Sequence, residues 1–127
     1  MKKLISKLTT AITALALLGF LVPTEAIAQD PTQVDAKHYK VEFENDQVRV
    51  LRISYAPGEK SVMHEHPNAV AVFLTDGNTE MKLPDGTSIV DIRKSGEASW
   101  TPSGKHLPKN IGNPVELILV ELKSQPE

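Results

Sequence analysis

Ser61-Val62-Met63-His64-Glu65-His66 decides how the rest of this chain is read. Successive side chains of a β-strand point to opposite faces, so residues two apart share a face, with their α-carbons roughly 7 Å apart. In an extended segment His64 and His66 therefore aim their imidazoles the same way, near enough to chelate one ion, while Glu65 points the other way. A third histidine, His106, follows within residues 58–110. Two strand histidines facing solvent would be the plainer account, but their place after Gly58 and the downstream His106 favour a metal shared by His64 and His66; His106 taken alone reads either as a further ligand or as a hydrogen-bonded core histidine.

Outward from this stretch, almost every segment reads as a strand. Residues 38–44 alternate with Val41 and Phe43 on one face, and residues 47–55 are rich in Val, Ile and Leu, with Asn45-Asp46 as the turn between them. Strands over 61–66 and 69–75 are joined across Pro67-Asn68. Asp76-Gly77-Asn78, Pro84-Asp85-Gly86 and Gly112-Asn113-Pro114 mark further turns. Between those turns lie runs over 79–83 and 87–92, a segment reaching Trp100, another carrying His106, and a last run over 115–122. Leu117-Ile118-Leu119-Val120 is apolar at every position, which predicts a central strand buried on both sides. No segment after the leader shows a helical period, so the spacing of short strands and turn signals predicts an all-β sandwich or barrel.

The first 28 residues read as a cleavable signal peptide: Lys2, Lys3 and Lys7 form a basic head, an apolar run follows, and Ala26-Ile27-Ala28 is a small-residue cleavage pattern. The apolar run, interrupted by Thr9, Thr10 and Thr13 and ended by Pro23, is shorter than the roughly 20 residues of a membrane span. The expected organisation is thus a leader over 1–28, a polar N-terminal arm over 29–37 and one barrel domain over 38–123, periplasmic or secreted and free of the membrane once processed. The chain has no cysteine, so export brings no disulfide and stability must come from the core, a metal or a second copy of the chain as a homodimer. The net charge is −2, and the leader removes three lysines and Glu25, leaving no basic footprint for nucleic acid.

These residues resemble the cupin superfamily, small double-stranded β-helix or jelly-roll barrels that bind a metal in their mouth. The family's first motif runs Gly, five residues, His-x-His, three or four residues, Glu, six residues, Gly; Gly58, His64, His66 and Gly77 match it. Gly96, Pro102, Gly104, His106 and Asn110 match the second motif, with one residue missing between Gly104 and His106. The resemblance spans roughly residues 39–122. One departure matters: the glutamate ligand falls at Val70 or Ala71, neither of which can bind a metal.

What remains is a set of three neutral ligands, which leaves a divalent ion near its full charge and suits anionic or chelating oxygen donors. Three-histidine cupins similar to this pattern include iron dioxygenases of small thiols or β-dicarbonyl compounds. The resemblance therefore implies iron(II) first, with zinc, manganese or nickel as alternatives, and a small-molecule substrate; the other reading is a non-catalytic accessory cupin that binds a metal or small ligand. Around the ligands, Asn110 is a candidate for orienting an imidazole or for capping a turn, and Val70, Val72 and Trp100 are candidates for the cavity wall, with Phe73 and Met81. Glu80 and Glu97 are the carboxylates that could replace the missing ligand, and His38 reads as structural or exposed. Gly58, Gly77, Gly96 and Gly104 read as turn glycines.

Overall fold

The computed structural model describes residues 29–124; the leader read over residues 1–28 lies outside them. A one-turn helix, α1 (Pro31–Val34), precedes nine strands: β1 (Tyr39–Glu44), β2 (Val48–Tyr55), β3 (His64–His66), β4 (Ala69–Phe73), β5 (Gly77–Lys82), β6 (Ser88–Arg93), β7 (Ala98–Thr101), β8 (Gly104–Asn110) and β9 (Val115–Leu122). They form two antiparallel sheets, ordered β1-β2-β9-β4-β7 and β3-β8-β5-β6, a jelly-roll arrangement as expected. No helix among the described residues is long and apolar enough to cross a membrane.

The buried apolar cluster lies entirely on the five-stranded sheet. Leu51 on β2 faces Leu119 on β9, which in turn faces Ala71 on β4. Directly opposed residues of antiparallel strands share a face, so these three form one inward row, and burying a leucine there stabilises the fold by roughly 1.5–3 kcal/mol. β9 is central, as its composition predicts, but only one face is buried. Val115, Leu119 and Glu121 point inward, whereas Ile118 and Val120 on the outer face remain half-buried.

Two local expectations change, and a third is decided. A register shift between Val41 and Phe43 breaks the alternation of β1: Val41 opposes Leu51, but Phe43 opposes Val50, so the two do not share a face. β3 is only three residues long: the Ser61 amide still donates to the Pro108 carbonyl of the neighbouring strand at 2.9 Å, but the Val62 carbonyl accepts from His64 and the Ser61 hydroxyl turns to the arm. The polar arm, which the sequence leaves open between an ordering arm and a loose tail, is ordered: Asp30 caps α1 by accepting from the Thr32 backbone amide at 2.9 Å, Pro31 follows at the first helical position, and Pro31 is fully buried. A single turn is too short to show a period in the sequence.

Gly58 and Gly96 sit at φ +76° and +83°, where a side chain is strained. Gly77 is a strand residue whose added Cβ would lie 2.8 Å from the Phe73 ring, so close packing and not a turn requires it.

Candidate metal centre

β3 and β8 run antiparallel with His64 directly opposite His106, and the strand period returns His66 to the same face as His64. The three rings meet with centroids 4.8, 4.9 and 5.2 Å apart, the first two pairs nearly perpendicular. One nitrogen from each lies within 4.8 Å of the others; His64 and His66 are buried and His106 is half-buried.

Hydrogen bonds fix which nitrogen each buried ring presents. His64 Nδ1 donates to the Val62 carbonyl at 2.8 Å, with Ser61 Oγ at 3.1 Å, and His66 Nδ1 donates to Glu121 Oε2 at 2.9 Å. With those protons on Nδ1, the two Nε2 atoms face each other as lone pairs, 3.1 Å apart. His106 Nε2 is buried with no hydrogen-bond partner. Two opposed acceptors beside a third, unsatisfied nitrogen call for a cation at their shared point, so the residues fit a divalent metal.

The electrostatics agree. Burial, followed by the neighbouring His66, lowers His64 to about 4; burial, followed by His66 and His64, lowers His106 to about 3. Both are uncharged donors at neutral pH. Burial alone would raise Glu121, but hydrogen bonds from His66 and Arg49 outweigh it and hold the carboxyl below its ordinary range, ionised behind the ring it orients.

Glu121 is the functional residue that sequence reasoning missed. Neither Glu80 nor Glu97 joins the histidine cluster: Glu80 opposes the exposed Lys109 on the outer side of β5, and Glu97 accepts from Arg93 at 3.0 Å and from the Lys94 amide. Glu121 stands on the inward parity of β9 with Val115 and Leu119, and that alternation, carried to the end of the apolar run, is the signal that finds it.

Beside the histidines lies a cavity of about 250 Å³, walled by Ala71, Phe73, Leu117 and Leu119 and reaching His66 and His106. Met81 and Phe73 line it as expected. Val70 and Val72 do not; the inward positions of β4 are Ala69, Ala71 and Phe73, and the two valines lie on the opposite face. Trp100 borders the cavity, but its register with Val70 places the side chain outward, 55% exposed. Asn110 touches no imidazole: it donates to the Tyr55 and Asn113 carbonyls and accepts from the Gly112 amide, capping the turn into β9. His38 is structural, stacked on Tyr55 at 4.2 Å and donating to Asp35 at 2.8 Å.

Tyr39 lies edge-on to His64 at 4.8 Å and accepts from the Tyr55 hydroxyl at 2.7 Å. Burial, then the adjacent Tyr55, pushes the Tyr39 phenol well up; burial likewise raises Tyr55, so both stay protonated at neutral pH.

No protein-family model and no curated protein matches the chain. Among solved structures it is similar to a cupin domain from Bordetella pertussis Tohama I, at 25% identity and a TM-score of 0.63 over 68% of this chain and 92% of that one. A protein with a double-stranded β-helix domain from Klebsiella pneumoniae follows at 22% identity and a TM-score of 0.54, covering 70% and 74%. A cupin superfamily protein from Desulfitobacterium hafniense shares 18% identity at a TM-score of 0.52, covering 68% and 76%, a likeness of fold alone.

Proposed function

The chain belongs to the cupin superfamily, and on that premise we propose that it is an exported metalloprotein in which His64, His66 and His106 hold one divalent ion, iron(II) first, for dioxygenation of a small chelating substrate. The observation that carries this reading is the 3.1 Å approach of two Nε2 lone pairs whose rings are each anchored through Nδ1. When bound, an ion with three neutral protein ligands keeps nearly its full charge, so it draws anionic or chelating oxygen donors and leaves positions open for them.

The chain's own residues supply the rest. Val62 and Glu121 orient the imidazoles, and Ala71, Phe73, Leu117 and Leu119 exclude water from the cavity in which a small substrate would sit. Tyr39 and Tyr55 both line that cavity and both stay protonated; the Tyr55 proton is engaged on Tyr39, so Tyr39 is the phenol left to donate into it. Export and homodimer formation belong to the same reading. The residues 1–28 pattern supports the first; the second is supported by a cross-strand apolar row on the outer face, Phe43, Val50, Val120, Val70 and Trp100, with Phe43 and Trp100 more than half exposed.

Untagged protein from the exported fraction should begin near Gln29 and carry close to one iron per chain. Loaded anaerobically with iron, it should consume oxygen when offered β-dicarbonyls or small thiols. No uptake above background with any of them overturns the oxygenase reading. A second reading, an accessory cupin that binds a metal or small ligand without turnover, is favoured by the engagement of Glu121 with His66 and Arg49, which leaves no carboxylate among the donors. Ligand uptake without oxygen consumption would select it.

A further inference from the structure

The N-terminal arm reaches the backs of both buried histidines. From one end of α1, Asp30 Oδ2 accepts from Arg49 Nη1 at 2.7 Å and its Oδ1 from Nη2 at 3.2 Å; Arg49 Nε donates to Glu121 Oε1 at 2.6 Å; and Glu121 Oε2 accepts from His66 Nδ1 at 2.9 Å. From the other end, Asp35 Oδ2 accepts from Ser61 Oγ at 2.5 Å, which leaves a Ser61 lone pair to accept from His64 Nδ1 at 3.1 Å. Between them the Glu65 amide, on the residue separating the two histidines, donates to the Gln29 carbonyl at 2.9 Å. One short segment is therefore tied to β3 itself and, through two side-chain chains, to each ring that β3 presents.

We propose that residues 29–35 form a positioning clasp of the metal centre, in which Asp30 acting through Arg49 and Glu121, and Asp35 acting through Ser61, hold His66 and His64 with their Nε2 atoms aimed at one point. The clasp rests on the metal reading above. Its physical basis is competition for Glu121. A carboxylate that accepts from a ring N–H fixes the tautomer and strengthens the opposite nitrogen as a donor. Arg49 shares that carboxylate, and Asp30 holds the far edge of the guanidinium by two hydrogen bonds, keeping only Nε on Glu121. Without Asp30, the whole fork of Arg49 is free to turn onto Glu121 and draw it from His66.

The limbs are unequal. His64 Nδ1 retains the Val62 carbonyl at 2.8 Å whatever happens to Ser61, whereas no partner other than Glu121 is seen for His66 Nδ1 among the described residues. Asp30 is thus the more consequential end.

Asp30→Asn in the full chain tests this, because asparagine caps a helix as well as aspartate does and so preserves α1 while removing the charge that holds Arg49. Two readouts are needed: the Nδ1–H proton resonance of His66 in the metal-free protein, and Co²⁺ affinity with its visible spectrum. Expected are loss of the slowly exchanging His66 Nδ1–H, a changed Co²⁺ spectrum, and roughly 10–100-fold weaker Co²⁺ binding, at a metal-free melting temperature close to wild type. Ser61→Ala should weaken binding less. An Asp30→Asn protein that keeps the resonance and binds Co²⁺ as tightly as wild type overturns the clasp and leaves the metal reading standing. A wild type that takes up no Co²⁺ overturns both.

Discussion

The inward face of the five-stranded sheet carries Leu51, Ile53, Ala71 and Leu119, whereas the inward face of the four-stranded sheet carries His64, His66 and Thr79. The first buries apolar surface and supplies cohesion. The second buries polar rings, which is costly without partners, and it does so beside the only cluster of three potential metal donors found among the described residues. Cohesion and chemistry are thus assigned to opposite walls of one cavity. They meet where Glu121, held by Arg49 at the end of the apolar wall, reaches across to His66.

The sharpest way to break this division is to change the polar wall. His106→Ala removes one of three donors, so divalent-metal affinity should fall by more than the roughly 100-fold upper range of an outer-shell change, as read by competitive chelator titration. Leu51→Ala acts on the other wall. It should destabilise the protein by about 2–5 kcal/mol in denaturant unfolding while the folded fraction keeps near-normal metal affinity. Loss of metal binding at unchanged folded population would mean that the walls are not separable.

Acid sharpens the comparison further. Both His64 and His106 titrate below their ordinary 6.5 in the folded state, at about 4 and about 3, so the unfolded chain takes up protons first. Metal-free stability should therefore be full above pH 6.5 and fall as pH drops towards 4. His64 alone accounts for a loss of about 3 kcal/mol. Glu121, held below 4.5, acts in the same direction at lower pH, as its stabilising charge is lost. Unfolding midpoints measured from pH 7 to pH 4 check this, and the slope should flatten in His64→Gln. The smallest effect belongs to the outer face: Val70→Thr and Val72→Thr should change stability by about 1 kcal/mol or less and leave metal affinity unaltered.

Strand-level patterning made most of the fold readable. Val115–Leu122 was delimited by its composition and the following polar residues, and His64 with His66 by a period of two. What the sequence concealed depended on geometry between distant segments. Glu80 and Glu97 are the carboxylates the sequence offers as a replacement ligand, but neither joins the donors; the carboxylate that serves the site is Glu121, which orients His66 from 55 residues away and is brought there by β9 at the centre of the other sheet. Val70 and Val72 share a strand face and read as cavity wall, and the family's glutamate falls at Val70 or Ala71; the parity of β4 turns Ala71 inward and both valines out. The arm was unreadable as structure because one capped turn carries no period, although Asp30-Pro31 is the residue pair such a turn begins with.

Anomalous diffraction from crystals of untagged, metal-loaded protein tests the convergence of the three imidazoles most directly. A single ion about 2.0–2.3 Å from Nε2 of His64, His66 and His106 is the result this account predicts. An ion bound elsewhere, or none at that point with His64 and His66 still 3.1 Å apart, would contradict it.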